Sequence, residues 1–508
     1  MLAGIRAHQK CLRSIPTTHL LRQIYTSRNI SGSALHPVIR TFAASLAQTQ
    51  PCFRVSASQI RLISQPPHFY ETLLDMIRRA RRRIFISSLY IGSSETELIE
   101  AIHSSLARTP NLHVYLQLDL NRSTRPGPSS TTLLLLPLLR DFPERVHVSL
   151  FRSPKLKGLM ARLVPPRFNE GWGTWHAKIY GADDDVIISG ANLSKSYFTD
   201  RQDRYMHFSS TPSLAEYCLS YLKTASAFSY CLDAPIPSHS SNVTPEVIWP
   251  NTSIHPHHIE RAAHTAFSDL QKSQRQGATS SIDNREDDEV LIFPIIQAGQ
   301  FGVREEERCL HTLFEHLSAE TNPKETDARP LMDITSGYFG LYKPYQDLVL
   351  NAPINTRIIC ASPKANGFYG SQGVSGRIPE GYTLLEQRFM KAVRSTRRAI
   401  ADHGEDSNVE LNEWQRDGWT YHAKGIWLSP STNSAPVLTL IGSTNLNSRS
   451  SHLDTELSFM MLTSSPALRQ SLQEEVTELR AHSGPWKGDQ REVRWGTKAI
   501  VGVVGGML

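Results

Sequence analysis

From about residue 70 onward the apolar residues change period in a regular order. Residues 70–83 carry one apolar helical face, 84–91 form a short apolar run, and 95–108 return to helical spacing. The order continues with a strand at 112–118, a helix at 131–140, a strand at 146–151, and two short strands at 174–181 and 185–189. The second half repeats it. Residues 334–339 correspond to 86–91, 357–361 to the strand at 112–118, and 409–414 to 146–151. This alternation predicts an α/β sandwich, and its repetition predicts two of them in tandem. The expected units are 56–235 and 289–485. Residues 236–288, rich in Pro, Ser, His and Asn, read as a linker or surface insertion, and 486–508 as a C-terminal tail.

Composition alters this picture mainly at the N-terminus. The 508 residues carry a net charge of +6, but the first acidic residue is Glu71. Eight basic residues precede it, among Ser, Thr and Ala, and residues 1–55 therefore read as an import leader or disordered segment, with a processing site expected near Phe42. No window approaches the ~20 apolar residues needed to span a bilayer. The apolar stretch 133–139 reads as a core helix, and 499–508 as a segment that packs on the fold. Six cysteines without a CxxC pair point to reduced thiols, and His255, His257 and His258 read as linker histidines rather than metal ligands.

The candidate chemistry lies in a repeat. Trp175-His176-Ala177-Lys178 and Tyr421-His422-Ala423-Lys424 are each followed by a small-residue turn ending in an asparagine, Asn192 or Asn445, and eleven positions later by a carboxylate, Asp203 or Glu456. The second copy is longer by seven residues between histidine and asparagine and again between histidine and acid. One insertion, at the Ser/Pro/Asn-rich stretch 429–436, accounts for both. Two matched His–Lys–Asn–acid series imply two half-sites that meet. One imidazole can attack phosphorus and the other can move a proton. The lysines and asparagine amides can hold non-bridging oxygens, and a carboxylate behind each histidine can fix its tautomer. This chemistry requires neither metal nor cofactor. Arg201 and Arg204 read either as anion ligands or as ion-pair partners.

His176-x-Lys178-x4-Asp183 resembles the HKD signature of the phospholipase D superfamily. The run from Ser189 to Tyr205, with Gly367-Phe-Tyr-Gly370 and Ile378-Pro-Glu-Gly-Tyr382, looks like that superfamily's eukaryotic mitochondrial CDP-diacylglycerol–glycerol-3-phosphate 3-phosphatidyltransferase family. The resemblance covers roughly residues 60–480. It implies two phospholipase D-like domains related by a pseudo-twofold, with the active site between them. It also implies transfer of a phosphatidyl group from CDP-diacylglycerol to glycerol 3-phosphate through a phosphohistidine, with catalytic His176, Lys178, Asp183, His422 and Lys424. The implied location is the matrix side of the mitochondrial inner membrane, in peripheral contact with lipid and without a nucleic-acid partner. The chain departs from the signature at Ser429, which stands where the second motif has an aspartate. A phosphodiesterase of the same fold and an inactive lipid-binding scaffold remain as alternative readings.

Overall fold

In the computed structural model, residues 35–125, 127, 130–158, 166–233, 245–277, 288–321, 329–401 and 409–505 are described. The chain builds two large sheets whose strand orders mirror each other. The first half contributes β2 (Ile60–Ile63), β3 (Arg83–Ser87), β4 (His113–Asp119), β5 (Val146–Phe151), β6 (Ile179–Ala182), β7 (Asp185–Ser189) and β9 (Tyr205–Phe208). They lie in the order β5-β4-β3-β6-β7-β9-β2. The second half contributes β12 (Glu289–Ala298), β14 (Leu331–Ser336), β15 (Asn355–Ala361), β16 (Val409–Trp414), β18 (Lys424–Ser429), β19 (Leu438–Gly442) and β20 (Glu456–Thr463), in the order β16-β15-β14-β18-β19-β20-β12. In both, three parallel strands adjoin an antiparallel set. The tandem α/β expectation therefore holds strand by strand.

Helices α2 (Pro66–Arg79), α3 (Thr96–Arg108) and α4 (Thr131–Asp141) cover the outer face of the first sheet. On the second, α7 (Glu305–Glu320), α8 (Lys343–Asn351) and α9 (Ile378–Ala401) do the same. Between the sheets lie α5 (Pro212–Ser226), α6 (Glu260–Gly277) and α10 (Pro466–Ala481), in one apolar cluster that draws on both halves. Every strand of β3 and β12 type is thus covered on both faces. Ile84, Phe85 and Ile86 are all buried, and period-2 alternation disappears there.

Two sequence expectations need correction. Residues 35–55, assigned to the leader, are folded. Helix α1 (Pro37–Thr49) buries Ile39, Phe42, Ala43 and Leu46 against the second half, and β1 (Phe53–Ser56) pairs antiparallel with β12. Acid-free, Arg-containing amphipathic sequence suits a leader and a basic-surfaced helix equally, and burial decides here. Residues 1–34 lie outside the described residues. The presumed linker is structured where described: β11 (Glu246–Ile248) extends the first sheet through β10 (Tyr230–Asp233), and α6 buries Ala263, Phe267 and Leu270 in the shared core. The C-terminal stretch, whose end is expected to pack on the fold, does so: it forms α11 (Trp495–Val504), which packs through Val501 on Leu384 and Val493. Among the described residues no helix is long and apolar enough to cross a membrane.

Candidate active site

Each half-site hangs from a central strand of its own sheet. The aromatic residue before each histidine is the anchor. Trp175 Nε1 donates to Ser87 Oγ of β3 (2.8 Å), and the Tyr421 hydroxyl bonds Thr335 of β14, the equivalent position. Burial of the aromatic ring then fixes where His176 and His422 emerge.

The histidine segments do not stay within their own halves. His176 N–H donates to Thr455 O (2.9 Å), and Thr455 N–H donates to Thr174 O (2.9 Å). In the mirrored arrangement, His422 N–H donates to Gln202 O (2.8 Å) and Thr420 N–H to Asp200 O (2.9 Å), so that β8 (Arg201–Gln202) and β17 (Thr420–Tyr421) form a parallel pair between the halves. Thr455 and Gln202 each immediately precede an acid. The backbone pairing therefore delivers each carboxylate to the other half's histidine. Glu456 accepts a hydrogen bond from His176 Nδ1–H (2.8 and 2.9 Å), and Asp203 accepts one from His422 Nδ1–H (2.6 Å). A carboxylate acceptor fixes the Nδ1–H tautomer and leaves each Nε2 lone pair for chemistry.

The asparagines cross over as well. Asn192 Nδ2 donates to the Tyr197 hydroxyl (3.0 Å), which lies 3.3 Å from His422 Nε2. The Asn445 backbone N–H donates to Ser450 Oγ (3.1 Å), and the Ser450 hydroxyl donates to Glu456 Oε1 (2.7 Å) behind His176. The Asn445 Oδ1 is buried without a partner among the described residues. Gly190 is the small residue that the closest approach demands: a Cβ there would fall 2.6 Å from Asp203 Oδ1 and 3.0 Å from Lys424 Nζ. Lys178 and Lys424 are buried, and each ammonium donates to the carbonyl of the histidine two residues before it, at 2.5 and 2.9 Å.

Asp183, expected among the catalytic residues, lies elsewhere. Its carboxylate accepts the N–H groups of Arg81, Arg82 and Arg83 (2.8, 2.8 and 3.0 Å) from a turn with φ +53°. Five residues of extended chain, about 16 Å, separate it from Lys178. It closes the α2–β3 connection. Ser429, its counterpart, is a buried strand residue paired with Leu331, so the missing acid leaves the half-site intact.

Electrostatics differ between the halves. Burial lowers the titration of Lys178 to about 7 and of Lys424 to about 8. Burial also pushes His422 well below its ordinary value, reinforced by Lys424, Arg201, Lys178 and His176. Burial opposes ionisation of Glu456, yet His176 and Lys178 outweigh it and hold the acid near 2. Asp203 is raised by burial to about 6 despite Lys424. His422 and Lys178 each feel charges from the other half, so the two half-sites form one electrostatic cluster.

His176, Asp454 and Glu456 bring ligand atoms within 4.8 Å of one another. Those oxygens are already engaged. Asp454 takes the Thr174 N–H and hydroxyl (2.8 and 2.9 Å) and Arg449 Nε (3.0 Å), and Glu456 takes His176 and Ser450. The trio is a hydrogen-bonding network that fits a fixed imidazole better than a cation.

Sequence reasoning missed Tyr197 and Tyr338. The Tyr338 ring lies 5.5 Å from that of His422, and Tyr197 5.1 Å. Tyr338 and Tyr90 hold equivalent places after β14 and β3, a signal present in the aligned Thr335–Gly340 and Ser87–Gly92 segments. Arg204, left open between two roles, is an interdomain clamp. It is buried, pairs with Glu475 of α10 through both Nε and Nη2 (2.9 Å each), donates to Leu440 O (2.9 Å), and lies over Trp427 at 3.8 Å.

No family model matches the chain. Over 467 residues it is 37% identical to the mitochondrial CDP-diacylglycerol–glycerol-3-phosphate 3-phosphatidyltransferase of Mus musculus, covering 85% of this chain and 80% of the relative. Over 477 residues it is 36% identical to the CDP-diacylglycerol–glycerol-3-phosphate 3-phosphatidyltransferase of Schizosaccharomyces pombe, covering 87% and 92%. The fold matches the crystal structure of phosphatidylserine synthase from Haemophilus influenzae, with a TM-score of 0.63 at 18% identity, covering 92% of this chain and 98% of that one.

Proposed function

The chain belongs to the CDP-diacylglycerol–glycerol-3-phosphate 3-phosphatidyltransferase family, and on that premise we propose that its crossed half-sites carry out the transfer through a phosphohistidine. It is a mitochondrial phosphatidyltransferase that moves a phosphatidyl group from CDP-diacylglycerol to glycerol 3-phosphate.

His176 Nε2 attacks the phosphorus bearing the diacylglycerol oxygen, and the bond from that phosphorus to the oxygen of CMP breaks. His422 gives its proton to the departing CMP. The primary hydroxyl of glycerol 3-phosphate then attacks the phosphatidyl-histidine, His422 takes the hydroxyl proton, and His176 leaves. Two observations support this division. His176 Nε2 has no partner among the described residues, as a nucleophile requires, whereas His422 Nε2 already faces the Tyr197 hydroxyl. The cations around His422 disfavour its protonation until substrate phosphates enter, which ties proton supply to occupancy. Lys178, Lys424 and Asn445 hold the non-bridging oxygens, and Glu456 and Asp203 stabilise each imidazolium as it forms.

The crossed histidine–carboxylate pairing carries this reading. Its test is CMP release from CDP-diacylglycerol with and without glycerol 3-phosphate, in the native enzyme and in His176→Ala and His422→Ala. Release beyond one CMP per enzyme should require the acceptor and collapse in both variants, and labelled lipid should be trapped on His176. Release independent of acceptor would indicate hydrolysis instead. Full activity in either variant would defeat the two-histidine scheme.

We place the enzyme on the matrix side, in peripheral contact with the inner membrane. The support is the exposure of Tyr369, Val374 and Trp495, with the Arg377 guanidinium lying against Gly496 beside Trp495. The loop carrying Tyr369 begins beside the site, where Phe368 packs 6.0 Å from Tyr338. Apolar side chains beside a cation suit an anionic bilayer surface. Trp495→Ala with Val374→Ser should weaken sedimentation with cardiolipin-containing vesicles. Unchanged sedimentation at all salt concentrations would count against this face.

A further inference from the structure

The catalytic cluster accounts for one phosphate, the one that reacts. Both partners of that phosphate bring another: the leaving CMP carries its own, and so does the acceptor. The arginines near the site are largely committed. Arg204 pairs with Glu475, Arg122 and Arg125 share Glu170, and Arg449 pairs with Asp454. Arg201 is the exception. Its Nε donates to Thr420 Oγ1 across the interdomain pair (3.0 Å), and its guanidinium lies over the Tyr197 ring at 4.4 Å. Among the described residues no carboxylate lies within ion-pair distance of it. A Cβ built on Gly367 would come 3.0 Å from the Tyr338 hydroxyl and 3.3 Å from Arg201 Nη2. The guanidinium end and the phenol therefore lie together under that loop. Tyr197 and Tyr338, which these contacts place beside Arg201, are also the two rings that flank His422.

An enclosed guanidinium without a carboxylate is costly in the empty enzyme, and a dianionic phosphate matches its planar fork of donors. Its position beside His422 puts it on the side where one oxygen leaves phosphorus and another arrives, if His422 is the acid and base. We propose that Arg201 and the Tyr338 hydroxyl form a second phosphate subsite, which holds the phosphate of the group exchanged opposite His176. This deepens the transferase reading and rests on it. The ligand chemistry is a phosphate monoester, supplied either by CMP or by glycerol 3-phosphate.

The experiment uses Arg201→Gln and Arg201→Lys in the full chain, with Thr420→Val as a control that removes the interdomain bond and keeps the guanidinium. Acceptor-dependent CMP release in the native enzyme comes first, and its absence would sink the transferase reading without reference to Arg201. Two measurements separate the sources. Exchange of labelled CMP into CDP-diacylglycerol, run without acceptor, reads the donor side. The KM for glycerol 3-phosphate, and its preference over glycerol, reads the acceptor side. Loss of one charged hydrogen bond should raise the affected constant about 10–100-fold. Arg201→Lys should recover part of it, because it keeps the charge and loses the fork. A selective rise in the KM for CMP identifies the donor's phosphate. A selective rise in the KM for glycerol 3-phosphate, with lost preference over glycerol, identifies the acceptor's. Unchanged constants in Arg201→Gln, or the same changes in Thr420→Val, would overturn the subsite.

Discussion

His176 Nδ1 lies 2.8 Å from Glu456 Oε2, although 280 residues separate the two along the chain. Each histidine is oriented by the acid of the opposite half. Glu456→Gln should cost on the order of 10³–10⁴ in kcat, as replacing an orienting acid does in a catalytic triad. Combined with His176→Ala it should add little, because the pair acts as a unit. The crossing itself can be read by NMR of ring-labelled histidine. Glu456→Gln should move the His176 Nδ1 resonance and leave that of His422 in place, and Asp203→Asn should do the reverse. Shifts confined to the histidine of the same half would contradict the pairing.

Arg204, immediately before β9 of one half, reaches Glu475 of α10 in the other, and its guanidinium is buried. Arg204→Ala leaves Glu475 without its cation and removes the cover over Trp427. Stability should fall by about 3–5 kcal/mol, the range for breaking a buried ion pair on one side. Urea unfolding measures this, and a loss below about 1 kcal/mol would demote the clamp to a surface-grade pair.

Lys178 at about 7 and Lys424 at about 8 must be charged to hold phosphate oxygens. The kcat/KM of the free enzyme should therefore decline as pH rises through 7–8. Bound phosphate favours the ammonium forms, so the decline in kcat should fall at higher pH. A kcat/KM that stays level up to about pH 10, where an ordinary lysine titrates, would exclude this.

The two acids act oppositely on stability. Glu456 is held down from 4.5 to about 2, so its contribution is present above 4.5 and is lost as pH falls toward 2. Asp203 is raised from 3.8 to about 6, so its contribution falls as pH rises across that window. Glu456→Gln should flatten the acid limb of the stability profile, and Asp203→Asn should remove the fall between about 4 and 6. Melting temperature against pH distinguishes them.

Phe42 is buried in the second-half core on α1. Phe42→Ala should destabilise the protein by about 3–5 kcal/mol, as for other buried aromatics. A leader cut near Phe42 would discard half of that packing, so N-terminal sequencing of the mature protein should find a start before Leu35. A start beyond Phe42 would mean that α1 is dispensable.

Some of this was legible in the sequence to the residue. The strands Val146–Phe151 and Val409–Trp414 fall where the apolar runs placed them, because short buried runs have few alternatives. Helix α2 begins four residues earlier than its apolar period suggested, since Pro66 and Pro67 suit a first turn, and it ends at Arg79 before the strand. The seven-residue insertion is the longer β18–β19 hairpin, as its turn residues indicated. Helix α1 was not legible as part of the fold. Ile39, Phe42, Ala43 and Leu46 form the same amphipathic stripe that a leader would show. Equal spacing identified His176, His422, Asp203 and Glu456 but not their exchange, which the β8–β17 contact and its mirror at Trp175–Thr455 determine. Asp183 was misassigned because the short signature it belongs to mixes residues from the two ends of one strand.

The exchanged acids make the protein a coincidence detector of its own assembly. A half on its own displays a histidine with no acid behind it and an acid with no histidine to orient. On the proposed scheme, neither fragment should run the reaction at the rate of the whole enzyme, however well it folds. On that scheme full competence should appear only when both backbone contacts between the halves close, which would leave a part-built chain slow to cleave an activated lipid. Joining the two copies in one polypeptide keeps that meeting intramolecular and independent of protein concentration.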